Sequence, residues 1–87
     1  MIVTMGNYGP EIYLRQGVAS GDWRIVVGNR RFDLPQHIGR LTKVRQYRRW
    51  FRKIGALYEM SSVDGDFLIR FSANLDEDRI LSRFISK

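Results

Sequence analysis

The side chains best equipped for chemistry in this chain are cations. Lys43 to Lys53 read KVRQYRRWFRK: six basic residues, no acid, and Tyr47, Trp50 and Phe51 threaded between them. The chain has 15 Lys and Arg against 9 Asp and Glu, a formal net charge of +6. Between Leu34 and Tyr58 there is no acid, and Arg40, Lys43, Arg45, Arg48, Arg49, Arg52 and Lys53 contribute +7, so the rest of the molecule sums to −1. Twelve of the fifteen basic residues are arginine. Its planar fork suits bidentate contact with phosphate or carboxylate, and a localised excess of this kind points to a polyanionic partner.

Other chemistries have little to build on. The chain has one histidine, His37, and no cysteine, which removes thiolate nucleophiles, disulfides and cysteine-type zinc sites. It has no glycine-rich phosphate loop and no nucleophile elbow. Asp64 and Asp66 flank Gly65, but an Asp-Gly pair there is explained by turn chemistry rather than by a cation. An acid–base site made from His37, Glu59 and arginines has no spacing that demands it. The expectation is a protein without enzymatic activity, cofactor or metal.

These residues must be held by a small fold. Eighty-seven residues suffice for one compact domain spanning residues 1–87, and 44% hydrophobic content can fill a single core. The opening apolar run is too short for a signal peptide or a membrane span, so a soluble cytoplasmic protein is expected. Ile2 to Met5 and Glu11 to Gln16 read as short strands around the turn-forming GNYGP. Trp23–Val27 and Arg30–Leu34 flank Gly28-Asn29, a two-residue hairpin signal. That register sets Ile25 opposite Phe32, Trp23 opposite Leu34 and Arg24 opposite Asp33, apolar on one face and an ion pair on the other. Asp64-Gly65 marks a second hairpin, pairing Met60 with Ile69, Glu59 with Arg70 and Tyr58 with Phe71. Asn74 with Glu77 three residues on forms a capping box for a terminal helix, Leu75 to Ser86, whose stripe is Ile80, Leu81, Phe84 and Ile85.

Between the hairpins, residues 35–54 read as an amphipathic helix. Asp33 with Gln36 resembles a capping box and Gly55 supplies a stop, with Gly39 as a weak point. At about 100° per residue, Val44, Tyr47, Trp50, Phe51 and Ile54 share one side, and Arg45, Arg48, Arg49, Arg52 and Lys53 the other. The apolar side would lie on a sheet face, with Trp50 at its border. The fold expected is therefore α+β, an antiparallel sheet packed by two helices in the order β-β-β-β-α-β-β-α.

On such a helix Arg45/Arg49, Arg48/Arg52 and Arg49/Lys53 would be like-charge i,i+4 pairs, costing together about 1 kcal/mol with no structural return. The function expected is nucleic-acid binding, DNA or RNA, through Arg45, Arg48, Arg49, Arg52 and Lys53, with Arg40 and Lys43 at the helix entry. Gln46 beside Arg49 could face base edges, and Arg30 and Arg31 after the Gly28-Asn29 turn could extend the footprint. The alternative is a small regulatory or accessory protein, viral or from a mobile element, whose arginine face binds an acidic protein surface. A membrane partner is disfavoured because the apolar stripe is needed in the core. An unpaired edge strand would leave room for a homodimer.

Overall fold

The computed structural model describes residues 2–4 and 12–86. It contains seven antiparallel strands and one short helix. β1 (Ile2–Thr4), β2 (Ile12–Gln16), β3 (Trp23–Val27) and β4 (Arg30–Asp33) form one sheet in that order. β5 (Ile38–Arg49), β6 (Arg52–Ser62) and β7 (Leu68–Asn74) form the second, followed by α1 (Leu75–Leu81) and a 3₁₀ turn, Ser82–Phe84. Met5, Glu11 and the GNYGP stretch lie outside the described residues.

Both hairpins read from turn chemistry are present in the expected register. Arg24 faces Asp33, Ile25 faces Phe32 and Val27 faces Arg30, with Gly28 at φ 60°. Arg24 and Asp33 form an ion pair at 2.9 Å. In the second hairpin Tyr58 faces Phe71, Glu59 faces Arg70 and Met60 faces Ile69, and Arg70 donates to Glu59 at 2.7 Å. Alternation then buries Ile12, Leu14, Ile25 and Phe32 from the first sheet and Leu41, Ala56, Tyr58, Met60 and Phe71 from the second in one core. Phe32 stacks on Phe67 with ring centroids 5.0 Å apart, joining the sheets. Arg30 covers that contact, 5.1 Å and 4.8 Å from the two rings and 3.5 Å from Asp66.

The terminal helix begins as expected. The Asn74 side chain accepts from the Glu77 amide, and Glu77 accepts from the Asn74 amide, completing the capping box. Seven residues later it tightens into the 3₁₀ turn, so it is shorter than the stretch to Ser86 that its apolar stripe suggested.

The fold differs from expectation in the middle. Residues 35–54 do not form a helix, and the sheet is not packed by two helices. Asp33–His37 is a turn, in which the Asp33 amide donates to His37 Nδ1, and from Ile38 the chain runs as a twelve-residue strand. The apparent helical spacing has an identifiable source. Three register shifts along the β5–β6 pair leave Gly39, Val44 and Ile54 as extra residues, each of which displaces the period-two pattern by one. The positions of β5 opposite buried Met60, Tyr58 and Ala56 are Leu41, Lys43 and Gln46, only one of them apolar. An inward face made of Leu, Lys and Gln does not look like a strand face until its polar partners are known.

Candidate nucleic-acid interface

Those partners come from α1. Asp78, 4% exposed, accepts at Oδ1 from Lys43 Nζ at 2.9 Å and from the Tyr58 hydroxyl at 2.5 Å, and at Oδ2 from Gln46 Nε2 at 3.1 Å. Gln46 also donates to the Gly55 carbonyl at 2.6 Å and accepts from Lys43 at 3.1 Å. Burial pushes the Asp78 carboxyl up, but the hydrogen bonds from Tyr58, Lys43 and Gln46 together hold it below its ordinary value. Burial, reinforced by the hydrogen bond to Asp78, pushes the Tyr58 phenol well up. Lys43 and Gln46 therefore hold β5 to the helix, and their polar atoms are already engaged.

Beyond this anchor the sheet narrows. β7 pairs with β6 from Ser61 only as far as Gly55, so residues 48–54 continue as a two-stranded ribbon without a third strand beside it. At about 3.3 Å per residue it extends roughly 10 Å past the sheet. Gly55 is where the three-stranded part ends: it adopts φ 154°, and a Cβ there would stand 2.4 Å from the Ala73 carbonyl oxygen.

Along the ribbon Arg48 lies opposite Lys53 and Arg49 opposite Arg52, and all four are exposed. Successive pairs point to opposite faces, so each face carries two cations. Like charges directly opposite one another destabilise a ladder by roughly 0.2–1 kcal/mol per pair, less in salt. None of the four has an ion-pair partner among the described residues.

The two-residue turn closing the ribbon is Trp50-Phe51. Trp50 adopts φ 60°, the left-handed geometry that primed hairpin turns require and that bulky residues rarely take. Trp50 is 88% exposed and Phe51 95%. Both were expected on the apolar side of a helix. Leu41, Tyr58 and Phe71 fill the core without them, and Val44 and Ile54 are about half exposed. Tyr47 is the least exposed of that stripe, its hydroxyl 3.3 Å from Ser72 Oγ. One sequence signal could have located the tip: the run Arg-Arg-Trp-Phe-Arg-Lys places two cations symmetrically on each side of two aromatics, as cross-strand pairing requires.

The remaining candidates separate into groups. Arg40 and Arg45 are exposed on β5, an edge strand, where basic side chains also discourage edge-to-edge association. Arg31 is exposed on β4, apart from the ribbon, and Arg30 is held between Phe32, Phe67 and Asp66. An open groove of about 1240 Å³ separates the ribbon from α1, but Asp76 and Asp78 stand among its basic residues, so its charge is mixed. The ribbon gathers four cations that have no ion-pair partner among the described residues. The chain matches no protein-family model, no curated protein and no solved structure at a significant level.

Proposed function

We propose that the protein binds nucleic acid without catalysis, using the β5–β6 ribbon as its contact element. The observation that carries this reading is the pair of like-charge cross-strand couples, Arg48/Lys53 and Arg49/Arg52, on a ribbon that projects beyond the sheet and whose four cations have no ion-pair partner among the described residues. Their repulsion brings the fold no stability. Phosphates would relieve it and release counterions. Cations on both faces of the ribbon suit a nucleic-acid backbone that passes along either side of it, paired or unpaired. An acidic protein surface would engage one face and leave the other unmatched. A membrane-spanning role has no support in the helical part, since no helix among the described residues is long and apolar enough to cross a bilayer.

The test is fluorescence anisotropy of labelled DNA and RNA oligonucleotides across a salt series. Four phosphate contacts on duplex DNA give a slope of log K against log salt of about −3.6. Arg48→Glu combined with Arg52→Glu should weaken binding at least about 30-fold and flatten that slope by about 2, while the thermal midpoint does not fall, since each reversal replaces a like-charge couple by an opposite-charge one. Absence of binding to any oligonucleotide at low salt would overturn the reading in favour of an acidic protein partner.

A further inference from the structure

The phosphate reading accounts for the four cations and leaves the two aromatics at the tip without a task. Trp50 and Phe51 occupy both turn positions, the point of the ribbon farthest from the core, and each is almost fully exposed. With Arg49, Arg52 and Ile54 they border a shallow, open hollow. Aromatic faces bordered by guanidinium groups are the composition on which nucleobases stack in sequence-tolerant single-strand binding. Side-chain amide readout of base edges is weakly provided for. Gln46, the amide nearest the tip, is consumed by Gly55, Asp78 and Lys43.

In an intact duplex the faces of the bases are covered by their neighbours, so a ring can stack only by prising a step apart or where pairs are opened, at a cost in stacking free energy. Unpaired nucleotides offer their faces without that penalty. We propose that Trp50 and Phe51 are a stacking site for unpaired nucleobases, so that the protein selects single-stranded or locally unpaired nucleic acid over fully paired duplex with little regard to sequence. The inference rests on the phosphate-binding reading and adds the state of the target to it.

The test compares three probes of mixed sequence at one salt concentration: a fully paired duplex, the same duplex with three unpaired bases at its centre, and the single strand, each made as DNA and as RNA. Unpaired probes should bind at least about 10-fold more tightly than the duplex, in line with the roughly 5- to 150-fold that one stacked base contributes. Trp50 emission should be quenched on binding while Trp23, 9% exposed, stays silent, so Trp50→Phe should abolish the quenching. Trp50→Ala with Phe51→Ala should erase the preference while keeping the salt slope and the thermal midpoint. A preference in either the DNA or the RNA arm supports the proposal, and the stronger arm identifies the source.

Equal affinity for paired and unpaired probes, or a preference that survives the double alanine variant, overturns the stacking site and leaves phosphate binding standing. No binding to any probe overturns both.

Discussion

Trp50 combines two properties that a purely structural residue would avoid. Its φ of 60° is a conformation for which bulky residues carry a penalty of about 1–3 kcal/mol, and its ring is almost wholly in solvent. Trp50→Gly should therefore raise stability, by about 1 kcal/mol in denaturant unfolding, while weakening binding to unpaired strands. Unchanged or lower stability would mean that the ring does more for the fold than its exposure indicates. Asp78 shows the opposite economy, buried but fully partnered. Its folded-state carboxyl titrates below the ordinary value of 3.8, so the unfolded chain takes up the proton first as pH falls. The stability it contributes is present above the unfolded value and lost as pH drops through the folded one. Asp78→Asn should thus destabilise the protein by about 2 kcal/mol near neutral pH and by progressively less as the pH falls through the folded-state value. Glu77, whose carboxyl burial pushes up, titrates in the opposite sense, so the variant must be compared with wild type at each pH.

The element that matters most is the long hairpin, which changes character at Gly55. From Gly55 to Ser61 β6 has a strand on each side, and before Gly55 only β5. Gly55→Ala drives a methyl group into the Ala73 carbonyl and should cost about 3 kcal/mol or more, read as a loss of thermal midpoint of at least about 10 °C. A tolerated alanine would imply that β7 can shift without disturbing the ribbon. The two shorter hairpins were legible in the sequence because their registers are fixed by local turn chemistry at Gly28-Asn29 and Asp64-Gly65, with apolar pairs on one face. Asn74 and Glu77 announced α1 for the same reason, since a capping box is local. The long hairpin was not legible as one. Its turn has no glycine or asparagine, its bulges at Gly39, Val44 and Ile54 break alternation, and apolar residues every three or four positions imitate a helix.

At the scale of the whole molecule, some cations hold the fold together while others, among the described residues, face solvent without an ion-pair partner. Arg30 closes the junction between the sheets over Phe32 and Phe67, and Lys43 joins the second sheet to α1 through Asp78. Arg30→Ala should lower stability by about 1 kcal/mol and leave nucleic-acid affinity within about two-fold, whereas reversal at Arg48 and Arg52 should do the reverse. A large loss of affinity on Arg30→Ala would extend the binding surface to the sheet junction.

The sequence by itself determined the placement of charge, the registers of the β3–β4 and β6–β7 hairpins around their short turns, and the start of the final helix, because each rests on residues close together in the chain. It located the basic segment, and with it Arg48, Arg49, Arg52 and Lys53, without fixing the element that carries them. Tertiary structure decided that element. Lys43 and Gln46 can face inward on a strand only because Asp78, over thirty residues later, accepts their hydrogen bonds. Once β5 is held there, the chain must reverse at Trp50-Phe51, and the aromatics that local spacing assigned to the core are carried to the exposed tip.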